Sequence, residues 1–274
     1  AVNVLAKIYC GIFNVRKIYT LNGMTFLAKD RRRAIYREGF IVGKDTRLSG
    51  YMLESAITSG ILSVGVDESK ILSLGTPRTD MLLCGRDVNK IRAEFDKKHP
   101  DCKGKKLVLY APTFRDDPQT DKNPVSHIDA DAFNKALGDE YRLLIKLHPQ
   151  IHSGKAIEGT TDVTEGHDIN DLTLICDTLI TDYSSVCMDF ALLSKPCIFF
   201  AFDLESYEKE RSFYFDYKSY VPGPVVSDFG SVIEEIKNPQ KNEDKLRSFR
   251  DFNFDYIDCN NTERIFERII SSNP

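Results

Sequence analysis

The chain has 274 residues, of which 42% are hydrophobic and 28% charged, enough to build one large globular core or two smaller ones. The formal net charge of −4 excludes a chain that coats nucleic acid, although a local basic patch stays open. No apolar run approaches the roughly 18 residues of a membrane-spanning helix. The longest apolar region, 172–202, is interrupted by Asp177, Asp182, Asp189 and Lys195.

The chain opens on AVNVLAKIYC, with no initiator Met and no small-residue cleavage site, so the true N-terminus is expected upstream and no secretory signal is read here. Residues 17–21 read as a strand leading into Asn22-Gly23. The basic run KDRRR at 29–33 reads as a solvated loop or helix face. A helix is expected over 47–59 and a short strand over 70–74. That strand runs into the Gly/Pro cluster GTPRTD at 75–80, read as a domain junction. Beyond it strands and helices alternate. Asp87 caps a helix with Val88, Ile91 and Phe95 on its apolar face. KLVLYA (106–111) reads as a buried strand, followed by a polar loop and a helix over 129–137. YRLLIKL (141–147) is a second strand, stopped by His148-Pro149. A short helix over 168–176, the strand TLIT (178–181), a helix over 184–193 and the strand PCIFF (196–200) follow. The stretch 229–271 reads as mostly helical. Short apolar strands alternating with helices predict an α/β fold with a Rossmann-like parallel sheet and helices on both faces. The division expected is 1–80 and 81–274. In such sheets ligands bind beyond the carboxyl ends of the strands.

Four constellations sit at those ends. Thr181-Asp182-Tyr183-Ser184-Ser185 follows TLIT and opens a helix, where free N–H groups and the helix dipole favour an anion. Plain N-capping accounts for Ser and Asp there equally well. Lys146 and His148 end the second strand, and His suits acid/base work near neutral pH. Thr113 and Arg115 follow the first strand. Arg suits bidentate phosphate binding, and an ion pair with Asp116 or Asp117 is the alternative. Arg211 opens RSFYFDY (211–217), whose aromatics read as core packing. The seven Cys lack CxxC spacing and read as reduced, with Cys176, Cys187 and Cys197 as small core hydrophobes. The five His residues show no metal-ligand spacing. No P-loop, GxGxxG or GxSxG occurs, so a serine hydrolase is not expected.

Taken together, LGTPRTD (74–80), YAPTFRDD (110–117), IKLHP (145–149), LITDYSSVCMDFALLSKPCIFF (179–200), RSFYFDY (211–217) and PGP (222–224) resemble the CDP-glycerol glycerophosphotransferase family of teichoic acid and capsule polymer synthesis. The resemblance covers roughly 70–265 and rests on motif order. It implies a GT-B fold of two Rossmann-like domains, the first only a remnant here. It also implies a transferase without cofactor or metal. A CDP-glycerol or related CDP-polyol donor would lie against Arg115, His148, Ser184 and Ser185, with Thr113, Lys146, Thr181, Asp182 and Arg211 around it. An acceptor hydroxyl on a lipid-linked or polymeric chain would attack, and CMP would leave. The family's acceptor-side base is a His, and Asn22 stands where this sequence would place it; Asn has no useful basicity. The lipid-linked acceptor implies a cytoplasmic location with peripheral membrane contact. A donor-binding module without catalysis, and a UDP-sugar glycosyltransferase or epimerase, are the alternatives.

Overall fold

The computed structural model describes residues 17–21, 24–28, 42–43, 58–59, 62–63, 67–68, 72–113, 124–147, 157–211, 213, 216–239 and 243–271. The chain forms two compact units, Ala1–Asp80 with Asp255–Pro274, and Met81–Phe254.

In the first unit, β1 (Lys17–Leu21) pairs antiparallel with β2 (Met24–Ala28), Leu21 opposite Met24, and β3 (Val42–Gly43) adds to β2. The helix expected over 47–59 lies outside the described residues except for 58–59, which are helical. Residues 72–76 are irregular rather than the strand expected over 70–74; Pro77 opens helix α1 (Pro77–Cys84), and among the described residues no strand pairs with 72–76. The LGTPRTD segment instead docks on the chain's tail. Gly75 sits at φ +79°, and a Cβ there would lie 1.7 Å from Asn261 Oδ1. The Asp80 carboxylate accepts from Asn261 N, Asn261 Nδ2 and Thr262 N at 3.1, 2.6 and 2.7 Å. Desolvation raises its pKa, but those hydrogen bonds outweigh it and hold the carboxyl below its ordinary value.

The second unit carries a six-stranded parallel sheet. Its elements in chain order are α2 (Val88–Lys98), β4 (Lys106–Tyr110), α3 (Ala130–Leu137), β5 (Tyr141–Ile145), β6 (Thr161–Asp162), α4 (Ile169–Ile175), β7 (Thr178–Thr181), α5 (Val186–Leu192), β8 (Cys197–Phe200), α6 (Leu204–Arg211), α7 (Tyr217–Tyr220), β9 (Val225–Val226), α8 (Phe229–Lys237) and α9 (Glu243–Asn253). The strand order is β6-β5-β4-β7-β8-β9. The chain starts in the middle at β4, builds outward to β6, then returns to β7 on the other side of β4. The order therefore reverses between β4 and β7, the doubly wound arrangement whose switch point opens a crevice at the strands' carboxyl ends. Alternation on β4 divides the core. Leu107 and Leu109 pack with Phe95, Leu172, Phe190 and Phe199 on one face. Val108 and Tyr110 pack with Phe133, Phe200 and Phe229 on the other.

Asp87, Asp129, Asp168 and Asp228 cap α2, α3, α4 and α8 through their carboxylates. On α2, Phe95 is buried as its spacing predicts, but Val88, two turns earlier on the same face, is 40% exposed as the first residue of the helix. Burial pushes the Cys176 and Cys197 thiols up and the Cys187 thiol to about 12, so these are core groups without thiolate character. Cys84 and Cys259, by contrast, are each disulfide-bonded rather than reduced. The two edge strands, β6 and β9, are two residues long each. β9 follows Pro222-Gly223-Pro224, and Phe199 N donates to Pro224 O at 2.8 Å. A Cβ on Gly223 would lie 1.9 Å from Cys197 O, a backbone atom that cannot step aside. Gly223→Ala is expected to lower stability by about 2 kcal/mol through this overpacking, read as a shift in the urea midpoint.

Candidate functional site

The switch-point crevice is framed by the exits of β4 and β7. Thr181 is fully buried and its Oγ1 donates to Ala111 O at 2.7 Å. Asp182 is 2% exposed; its Oδ1 accepts from Thr113 N at 2.7 Å and from Tyr183 N at 2.6 Å. Tyr217 Oη donates to the Asp182 carbonyl at 2.9 Å. Thr113, Thr181 and Asp182 are thus brought together as a frame. Ser184 is half-buried and Ser185 exposed. The helix starts at Val186, and the N-cap Ser185 makes no side-chain capping bond. Val186 N reaches Ser184 Oγ only at 3.5 Å, the outer limit of a hydrogen bond. Capping alone therefore does not account for the doubled serine.

Around the frame lies an aromatic cluster. Tyr183 stacks on Tyr207 at 3.7 Å, and Phe213 stacks on Tyr217 at 4.9 Å. Tyr183 Oη donates to Asp203 Oδ1 at 2.9 Å. Of the RSFYFDY aromatics, Phe213 and Tyr217 pack against the core as expected, and Tyr214 and Phe215 lie outside the described residues. Sequence reasoning missed that Tyr217 also holds the main chain of the β7 exit, since nothing in an aromatic run marks which hydroxyl will reach a carbonyl. Arg211 closes α6, with its side chain outside the described atoms. Asn22, Arg115 and His148 lie outside the described residues.

Lys146 follows β5. Its Nζ donates to Thr164 O and to His167 O, both at 2.7 Å, so its charge braces the loop between β6 and α4. Burial lowers its pKa, against the pull of Asp168 and Asp162. The braced loop carries His167, whose Nε2 lies 2.9 Å from His99 Nε2 at the end of α2, with Phe95 against both rings. This pair, 68 residues apart, had no sequence signal. His167 is held below its ordinary pKa by burial first, then by His99, Lys98 and Lys146, while Asp171, which pairs with Arg86, opposes them. The fold favours the neutral ring, so the unfolded chain takes up the proton first as pH falls. That stability is present above the ordinary histidine range and lost below it. The thermal midpoint is expected to fall between about pH 7 and pH 5, and His167→Gln should flatten that slope.

Among the described residues no group of three metal-ligating side chains occurs, and no helix is long and apolar enough to cross a membrane.

Known proteins are similar to this chain. The family model for CDP-glycerol:poly(glycerophosphate) glycerophosphotransferase matches residues 58–271. A second model, the alpha/beta/alpha domain I of phosphoglucomutase/phosphomannomutase, matches 14–89. Asn22 thus falls outside the first match and inside the second. The chain is 36% identical over 212 residues to a teichoic acid poly(ribitol-phosphate) polymerase of Bacillus spizizenii, covering 75% of this chain and 34% of that protein. It is 34% identical over 214 residues to a teichoic acid glycerol-phosphate primase of Bacillus subtilis, covering 76% of this chain and 53% of the relative. The solved wall teichoic acid polymerase TagF superposes with a TM-score of 0.66 at 32% identity, over 84% of this chain and 56% of that one. The chain therefore spans from about a third to about half of such relatives. The α/β, GT-B-like class expected from the sequence is the class of TagF. The family-model match over residues 58–271, together with relatives 34–36% identical over three quarters of the chain, shows that this chain belongs to the CDP-glycerol:poly(glycerophosphate) glycerophosphotransferase family.

Proposed function

We propose that the Met81–Phe254 unit binds the diphosphate of CDP-glycerol, or of a related CDP-polyol, in the switch-point crevice. The observation that carries this is the Ser184-Ser185 pair at the exit of β7, where Ser185 makes no side-chain capping bond and Ser184 accepts only a long one from Val186 N, at 3.5 Å. A TagF structure has been solved after a soak with CDPG, which supports the same ligand class. In the transfer, an acceptor hydroxyl oxygen forms a bond to the glycerol-bound phosphorus. The bond from that phosphorus to the CMP oxygen breaks, CMP leaves with the electron pair, and the hydroxyl's proton passes to solvent. Positioning and charge stabilisation carry such reactions. Ser184, Ser185, Arg115 and Arg211 would stabilise the leaving phosphate, and His148 would donate to the diphosphate. The acceptor would be a lipid-linked or polymeric polyol phosphate, met at the cytoplasmic face of the membrane.

A second reading has its own support. Asn22 carries no base, and residues 1–57 lie outside the family match. On that reading the chain binds the donor and a partner domain supplies the acceptor chemistry. Calorimetric titration with CDP-glycerol, CMP and UDP-GlcNAc tests the common core of both. Preference for CDP-glycerol is the expected result, a preference for UDP-GlcNAc moves the chain to UDP-sugar chemistry, and no cytidine-nucleotide binding sinks the donor site. CMP release with a polyol-phosphate acceptor then separates the enzyme from the module.

A further inference from the structure

We propose that Asp182 is a positioning residue of the donor site, a carboxylate that locks the β4 exit to the β7 exit across the floor of the crevice and never touches the ligand. This rests on the donor reading above and deepens it. Among the site residues the sequence singles out, Asp182 is the one acid, and a second negative charge facing a diphosphate would repel it. Its burial and bonding show another task. One oxygen accepts two main-chain N–H groups, from Thr113 on one side of the switch point and Tyr183 on the other. Thr181 Oγ1 donates to Ala111 O beside it, and Tyr217 Oη donates to the Asp182 carbonyl. Three motifs that lie far apart in the sequence, YAPT, ITDYSS and FDY, are therefore joined at one residue. Rossmann-type sheets leave the two strands at the switch point with chains that diverge to opposite sides. Without a tie, the separation of the β4 exit from Ser184 would follow loop motion. Asp182 fixes it with charge-assisted bonds to backbone amides.

The conservative variant decides between positioning and contact. Asp182→Asn keeps a carbonyl oxygen that can accept both amides, and removes the charge. Asp182→Ala removes the acceptor. Amide hydrogen exchange of the segments over 107–113 and 179–188 reads the tie itself, and CDP-glycerol titration reads its consequence. Protection of both segments is expected to survive in Asp182→Asn and to be lost in Asp182→Ala. CDP-glycerol affinity is expected to stay within about 5-fold in the Asn variant and to fall 30-fold or more in the Ala variant. Thr113→Pro, which deletes one donor, should add little to the loss in Asp182→Ala. Unchanged exchange in Asp182→Ala overturns the tie. Equal affinity loss in the Asn and Ala variants overturns positioning and makes the charge itself the requirement. If the wild type binds no CDP-glycerol while exchange behaves as stated, the donor reading falls, the link from Asp182 to a donor falls with it, and the tie stands only as a joint of the sheet.

Discussion

Ser184→Asp is expected to reduce CDP-glycerol affinity by at least 100-fold while leaving the fold as stable as the wild type. The two outcomes together separate the two roles that a serine at this place can have. If Ser184 serves only the start of α5, aspartate is as good a residue there or better, because it accepts from the first amides and complements the positive end of the helix. Stability would then hold or rise and binding would not change. If the hydroxyl faces a diphosphate, the same substitution replaces a donor with a like charge. Two unit charges about 4 Å apart at the effective dielectric of a protein surface repel by roughly 4 kcal/mol, and each 1.4 kcal/mol is about tenfold in affinity. A loss of 100-fold therefore leaves room for screening and side-chain movement. Ser184→Ala should cost much less, about 5- to 10-fold, as one neutral donor is removed. Calorimetry and the thermal midpoint of each variant supply both readouts. Unchanged affinity in Ser184→Asp would remove the serine pair from the ligand.

The parts of this fold that the sequence displayed are those buried on both faces of the sheet. β4, β5, β7 and β8 are dominated by buried apolar residues, LVLY, LLI, LI and CIFF, because helices cover both sides of each, and such short runs stand out in the sequence. β6 and β9 are two residues long, Thr161-Asp162 and Val225-Val226, and no periodicity exists at that length. The site was legible in position more than in role. Knowing that ligands lie beyond strand ends brings Thr113, Lys146, Thr181, Asp182 and Ser184 to notice at once. It does not say which of them turn inward. Thr181 and Asp182 are buried and bind the neighbouring loop, and the Lys146 ammonium is held by two carbonyls from a loop some twenty residues on. Those partners depend on how two βα units pack, a long-range property that a local spacing does not carry. The domain junction expected at 75–80 is a similar case: its Gly and Pro read as a break, and in the structure Gly75 makes room for Asn261 while Pro77 starts a helix.

Lys195 is the sharpest instance, and it carries the largest stability prediction. In the sequence it is one of the charges that interrupt the longest apolar stretch. In the structure its Nζ donates to Thr173 O, Leu174 O and Cys176 O at 2.9, 2.6 and 2.7 Å, closing the C-terminal end of α4. Burial lowers its pKa, with Cys176 and Asp177 pulling the other way. The chain turns toward this position through Ser194, at φ +56°, after the end of α5. The side chain thus ties the α4 exit to the α5 exit, the two connections that enter β7 and β8. Lys195→Met keeps the aliphatic stem and deletes the donor, so three carbonyls at the negative end of a helix lose their partner together. An unsatisfied buried acceptor costs about 1–3 kcal/mol, and the lost interaction with the helix dipole adds a few tenths more. Some of the three will find water, so the expected loss is about 3 kcal/mol rather than the full sum. For a unit of this size that is a fall of roughly 6–12 °C in the thermal midpoint. Lys195→Arg should lie between, since its fork keeps the charge but spreads its donors too widely for three carbonyls gathered round one nitrogen. Below its own midpoint the Met variant should bind CDP-glycerol as the wild type does, because Lys195 lies at the opposite, amino-terminal ends of the strands. A Met variant that melts with the wild type would mean that the three carbonyls are served without Lys195.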